Sequence, residues 1–307
     1  MQKFLPYRPD KLIWNTITRN IATEPGSQLN EFLSVFLKMS IITLTSDLGY
    51  SSHYAAIVKG VILSLYPTAT LVDVSHNVPS FDIMEAAYVV KHSFSSFPKG
   101  SIHIIAIDPE YSLASSGIVM HYQDHYFIGP NNGVMSLIAD SASETCVKIE
   151  NEGLINSSYP KSFRAARVFG PTAAFLASGG TLEEIGSEVE MHELRWGAPS
   201  YSSNCLRGKI IYIDKFGNAI TNIHKNYFLD LKQDRSFEIF IRNVRLRRIV
   251  NTYSDVSKAD ALAIFGESHQ LEIAMREASA AQLLGLKVHD MITIEFRGRR
   301  NGVDLAD

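Results

Sequence analysis

Between residues 41 and 140 the apolar positions alternate between two periods. Ile41–Ser46, Thr70–Ser75 and Ser101–Ile107 are short apolar runs of strand length, and between them lie segments of helical spacing. Tyr54–Tyr66 carries Ile57, Val61 and Leu65 on one face and is closed by Pro67. Phe81–Ser93 presents Ile83, Ala87 and Val90. This β-α-β-α-β rhythm predicts an open, mainly parallel sheet covered by helices. Gly117–Gln123 and Tyr126–Ile128 read as a hairpin, Asn131-Asn132-Gly133 as a turn into Val134–Ala139, and Val168–Ser178 as a helix stopped by Gly179-Gly180. The stretch 196–204 is rich in Gly, Pro and Ser and reads as a linker. After it come short strands at regular intervals: Gly208–Ile213, Ala219–Ile223, Phe237–Ile241, Ala261–Phe265, Leu271–Ala274 and Met291–Phe296. They predict a small barrel or sandwich. The expected fold is therefore an N-terminal α/β sandwich-like domain over 39–196 with a mainly parallel sheet, a smaller C-terminal all-β barrel over 204–297, and a tail over 298–307.

Composition narrows the function classes. The 307 residues are 46% hydrophobic and 20% charged with a net charge of -3, ordinary for a globular protein and without the basic excess of a nucleic-acid surface. Basic residues gather in 242–248 and 297–300, as solvated faces or as contacts for an anionic partner. Two isolated cysteines, Cys146 and Cys205, make neither a disulfide framework nor a zinc site and fit a cytoplasmic protein. No apolar run reaches the length of a membrane span; the patch Phe32–Leu37 is too short. Met39 directly precedes the first strong strand and is the expected natural start, with residues 1–38 an upstream extension.

The candidate chemistry sits where predicted strands end. Asp47 follows the first, Asp73, Ser75 and His76 close the second, and Asp108-Pro109 ends the third. In open α/β sheets ligands bind at the carboxyl ends of the strands. Asp47 suits two roles, a cap on the next helix or an acceptor for two vicinal sugar hydroxyls. Phe81 is a core residue or the wall of a sugar or adenine site. The segment 213–222, with Asp214, Phe216, Gly217 and Asn218, is a strand–turn–strand that could also meet an amino-acid head group. There is no P-loop, no Gly-x-Gly-x-x-Gly, no nucleophile elbow and no metal-ligand spacing.

In order, the blocks Thr45-Ser46-Asp47-Leu48-Gly49, Val72-Asp73-Val74-Ser75-His76 with Phe81-Asp82, Ile107-Asp108-Pro109, Gly129-Pro130-Asn131-Asn132-Gly133, Ile213–Asn218 with Thr221-Asn222, and Leu271–Ala274 resemble the S-adenosylmethionine (SAM) hydroxide adenosyltransferases, relatives of the SAM-dependent fluorinase and chlorinase. The resemblance spans about 41–296 and implies a homotrimer with a SAM pocket between adjoining subunits. It assigns the ribose to Asp47, an aromatic wall to Phe81, and the methionine or adenine parts to Asp214, Phe216 and Asn218 of the neighbouring subunit. Asp108 matches the acid of the family's water-positioning Asp-Arg-His set. Ser115 stands at the arginine position, Arg164 at the histidine position, and Arg276 where an asparagine is expected. The implied activity is hydrolysis of SAM to adenosine and methionine with no cofactor, catalysed by Asp108 and Arg164. The alternatives are a SAM- or adenosine-binding protein without turnover, adenosyl transfer to another nucleophile such as halide, and a structural role on the same scaffold. No nucleic acid, metal or membrane partner is implied.

Overall fold

The computed structural model describes residues 40–107, 117–139 and 145–298. The expected upstream extension, Asp108, Ser115 and residues 299–307 of the tail lie outside them.

Two sheets organise the chain. In the first, β1 (Ile41–Ser46), β2 (Thr70–Ser75), β3 (Ile102–Ala106), β4 (Ile118–Tyr122), β5 (His125–Gly129) and β6 (Thr145–Lys148) lie in the order β2-β1-β3-β5-β4-β6. β1 pairs in parallel with β2 and β3, and β3 with β5, while β4 is antiparallel to both of its neighbours. Helices cover both faces, which is why these strands are apolar without strict alternation. On one face α1 (His53–Leu65) and α4 (Gly170–Ala177) bury Val58, Val61, Ile62 and Ala173 against Ile42, Leu44, Ile104 and Val119. On the other, α2 (Ile83–Lys91) and α3 (Val134–Ala139) bury Ala86, Val90, Met135 and Ile138 against Ile105, Ile118, Met120 and Phe127. Adjacent residues such as Ile104 and Ile105 thus feed opposite cores, as a pleated strand requires.

The second sheet runs β11-β10-β14-β8-β9-β13-β12, with β7 (Ser200–Tyr201) beside β8. Its members are β8 (Cys205–Ile213), β9 (Ala219–His224), β10 (Ser236–Ile241), β11 (Val244–Leu246), β12 (Ala261–Phe265), β13 (Gln270–Met275) and β14 (Met291–Arg297), with α5 (Lys225–Lys232) between β9 and β10. All its pairings are antiparallel and it curls into a nearly closed barrel. Period-two patterning is plain in β14, where Ile292, Ile294 and Phe296 are buried and Met291 and Glu295 are exposed. The two sheets meet at Tyr88, Ile211 and Ile220, with Tyr88 stacked on Tyr212 at 4.4 Å between ring centroids.

Three expectations change. The linker is not free of structure: Ser200 and Tyr201 pair with Arg207 and Leu206 as a short strand. The helix expected to begin at Val168 begins with a π-helical turn over Ala165–Phe169 before α4. Phe81 does not begin α2; it stands outside the helix with φ 66°, and Asp82 is the N-cap, its carboxylate accepting the Glu85 amide at 2.9 Å.

At the opposite edge from the strand ends, β3 buries a histidine. His103 Nδ1 lies 2.8 Å from Thr43 Oγ1 and its Nε2 lies 3.1 Å from His125 Nδ1, among Phe94, Phe97 and Phe127. Burial, then the neighbouring His125, lowers the His103 pKa to about 3. Its folded pKa is depressed, so above the ordinary value of 6.5 the imidazole is neutral in both states and costs nothing. Below that, the unfolded chain binds a proton that the folded chain refuses, and stability falls toward pH 3 by about 5 kcal/mol at most. His103→Gln, which keeps a hydrogen-bonding amide, should show a flatter loss of stability than wild type between pH 6.5 and 3 in denaturant unfolding.

Candidate functional site

Because β1, β2 and β3 are parallel, their carboxyl ends share one edge, and Asp47 leaves β1 there. It does not cap α1, whose N-cap is Ser52. Instead Asp47 Oδ2 accepts the Phe81 amide at 3.0 Å, across the gap to the β2–α2 connection. Phe81 holds a left-handed backbone, which costs a residue with a Cβ about 1 kcal/mol or more. The bond to the Asp47 carboxylate offsets part of that cost, and among the described residues Oδ1 has no hydrogen-bond partner. The Phe81 ring is 69% exposed. Sequence reasoning favoured a core position for it, but a left-handed residue ahead of the N-cap points away from the helix–sheet interface. The edge thus presents a half-buried carboxylate next to an uncovered aromatic face.

The barrel presents a second group between β8 and β9. Asp214 Oδ1 accepts from the backbone N–H groups of Phe216 and Asn218 at 2.9 and 2.8 Å, and Oδ2 accepts from Asn218 Nδ2 at 2.9 Å. The acid organises its own loop, as Asp does in tight turns. Gly217 is required in it: its φ is +82°, and a Cβ there would lie 2.0 Å from Ser279 Oγ. Asn218 is buried, and the Phe216 ring is 75% exposed.

Negative charge gathers around this loop. Glu272 is buried and accepts a hydrogen bond from Tyr253 Oη. Burial raises the Glu272 pKa, the Tyr253 bond opposes that rise, and the Asp214 charge adds to it. Across the sheet junction, burial and then the Asp82 charge raise Glu85 to about 7. The Tyr253–Glu272 pair carries no signal in the sequence, because β13 reads as an ordinary strand and Tyr253 lies in a polar loop. Only the closure of the barrel brings them together.

Asp47 and Phe81 form one constellation; Asp214, Phe216 and Asn218 form another. Among the described residues no hydrogen bond, ion pair or ring contact joins the two within one chain. Arg164 is 8% exposed, immediately before the π-helical turn, a geometry frequent at functional sites. Arg276 donates through Nη1 to the Val256 carbonyl at 2.8 Å, so it braces a barrel loop. Among the described residues no cluster of three or more His, Cys, Asp or Glu could hold a metal, and no helix is long and apolar enough to cross a membrane.

Comparison with known proteins shows the family. Residues 42–186 match the model of the SAM hydroxide adenosyltransferase N-terminal domain, and 208–293 that of the C-terminal domain. The chain belongs to the SAM hydroxide adenosyltransferase family. A relative from Thermus thermophilus named (R)-S-adenosyl-L-methionine hydrolase is 28% identical over 257 residues, covering 81% of this chain and 97% of its own. A fluorinase from an Actinoplanes species is 27% identical over 214 residues, 60% of this chain and 72% of its own. A crystal structure of a conserved protein from Thermotoga maritima superposes with a TM-score of 0.75 at 29% identity, covering 83% of this chain and 99% of that one. In this family member the first domain model ends before Trp196 and the second begins within β8, so each of the two constellations falls under a different model.

The barrel loop depends on one carboxylate. Asp214→Ala removes the acceptor of three hydrogen bonds and should cost about 2 kcal/mol in denaturant unfolding. Asn218→Ala, which removes one of them, should cost less.

Proposed function

We propose that this protein hydrolyses SAM, water or hydroxide attacking the ribose C5′ in line with the sulfonium sulfur to release adenosine and methionine. The observation that carries the proposal is the Asp47 carboxylate, tied through one oxygen to the Phe81 amide and free through the other at the sheet's ligand-binding edge. A ribose offers two adjacent hydroxyl donors, and a carboxylate accepts them with charge-assisted bonds. The acid-rich barrel loop, with Asp214 and the buried Glu272 beside an exposed Phe216, suits the cationic sulfonium and ammonium groups. The (R)-SAM hydrolases from Thermus thermophilus and Methanocaldococcus jannaschii, each 28% identical over most of their length, support the reaction class.

In this reading the parts over 39–196 and 204–297 act as two domains, and a homotrimer seats Asp47 and Phe81 of one protomer opposite Asp214, Phe216 and Asn218 of the next. The separation of the two constellations within one chain is what such an arrangement needs. Methionine leaves as a neutral thioether, so no general acid and no cofactor are required. The protein's task is to orient water and exclude bulk solvent, which can lower a barrier by roughly 7–11 kcal/mol in good cases. Asp108 orients or deprotonates the water, and the buried Arg164 supplies a cation where relatives have histidine. We place the reaction in the cytoplasm, which the free cysteines Cys146 and Cys205 fit.

A second reading, a SAM- or adenosine-binding protein without turnover, draws on Ser115 and Arg164, which replace two of the three water-positioning groups. Purified protein incubated with SAM should release adenosine and methionine in equal amounts above the spontaneous rate, read by liquid chromatography. Binding by calorimetry with no product would select the second reading. Asp47→Ala should weaken adenosine binding at least about 100-fold with the oligomer intact, and undiminished binding would remove the ribose assignment.

A further inference from the structure

Behind Asp47 runs a hydrogen-bonded chain, buried at Ser46 and His76 and open to solvent at Asp73 and Lys59. Ser46 Oγ lies 2.7 Å from His76 Nδ1, His76 Nε2 lies 3.1 Å from Asp73 Oδ1, and Lys59 Nζ donates to Asp73 Oδ2 at 2.6 Å. Ser46 and His76 are 2% and 1% exposed. A register slip between Leu44 and Thr45, where Leu44 faces Asp73 and Thr45 faces Ser75, inserts an extra residue in β2. In a regular strand residues three apart point to opposite faces; the slip turns Asp73 and His76 toward each other.

The order Ser–His–Asp matches that of a hydrolytic triad, but Ser46 is walled off, and its oxygen accepts the Leu48 amide at 3.3 Å. The ionised Asp73 carboxylate can only accept, so Nε2–H is the donor to it, and in the neutral ring Nδ1 then accepts the Ser46 hydroxyl hydrogen. Burial opposes ionisation of Asp73, yet the bonds from Lys59 and His76 prevail and hold its carboxyl below the usual range.

The chain grips the backbone on both sides of the ligand-facing acid. Ser46 precedes Asp47 and is bonded to the His76 ring. Leu48 and Gly49 follow it, Leu48 donating to Ser46 Oγ and Gly49 to the His76 carbonyl at 2.8 Å. The Tyr50 ring packs edge-on against the imidazole at 5.2 Å. Among the described residues, the hydrogen bonds of the Ser46 side chain and of the Leu48 and Gly49 amides therefore converge on His76, directly or through Ser46.

We propose that Lys59, Asp73, His76 and Ser46 form a positioning relay that aims the Asp47 carboxylate, so that discrimination of ribose from 2′-deoxyribose depends on residues that never touch the sugar. The inference rests on the assignment of Asp47 to the ribose hydroxyls. A site built to accept a hydroxyl hydrogen rejects an analogue lacking it only while the acceptor is held in place.

The test is calorimetric binding of adenosine and 2′-deoxyadenosine to the full-length protein. Wild type should prefer adenosine by about 10- to 100-fold, and Asp47→Asn should lose most of that preference. Ser46→Ala and His76→Asn should each shrink the ratio about tenfold, with circular dichroism and oligomeric state unchanged. Lys59→Met should shrink it less, and Lys59→Arg should retain it. Loss of affinity for both nucleosides by the same factor, the ratio preserved, would mean a merely structural role and overturn the relay. If His76→Asn does not fold, Ser46→Ala decides, since it removes a single oxygen. Equal affinities in wild type would instead strike the Asp47 assignment itself, a result distinct from failure of the relay.

Discussion

The parallel pairing of β1 with β2 and β3 is the constraint on which the rest depends. It forces three strands to end at one edge, and both faces of the sheet must then be covered because backbone and apolar side chains are buried together. With α1 and α4 on one side and α2 and α3 on the other, the edge is the place where polar groups can gather without loss of core. The connections there are short and tied to one another. Asp47 reaches the Phe81 amide, and His76 reaches both Ser46 and the Gly49 amide. A left-handed Phe81 is tolerated because the neighbouring loop holds it.

The barrel solves a different problem. A curled antiparallel sheet with an apolar interior leaves its loops to carry polarity, and the β8–β9 loop does so with a single acid that satisfies its own backbone. Glu272 is buried nearby at the cost of an elevated pKa, relieved by the Tyr253 hydroxyl. A carboxylate kept in such surroundings is expensive for stability alone and gains if a cation arrives. The two exposed phenylalanines, Phe81 and Phe216, belong to the same pattern, each uncovered beside an acid.

Much of this was legible along the chain. The alternation of periods gave the α/β order, and short strands at regular intervals gave the barrel or sandwich. Boundaries shifted where local patterning is silent: Ser200 and Tyr201 became a strand because β8 offers a free edge, and a π-helical turn opened α4 at a place where apolar spacing alone suggested ordinary helix. Phe81 was read as the first residue of α2 because hydrophobicity says nothing about φ. His103, unremarked in the sequence, proved to be buried in a neutral network with Thr43 and His125, since one residue in a strand carries no mark of what the adjacent strand places opposite it.

By itself the sequence determined the two-part architecture, the family, and which acids stand at the ends of strands, because these follow from periodicity and from short motifs in a fixed order. It could not say how those acids are held. That Asp47 bonds Phe81 rather than capping α1, that Ser46, His76, Asp73 and Lys59 form one chain, and that Tyr253 meets Glu272 were decided by tertiary structure. Each joins residues 14 to 34 positions apart in sequence or, for Asp73 and His76, turns on a one-residue slip in strand register, and hydrogen bonds of a few ångströms depend on three-dimensional register that no linear pattern encodes.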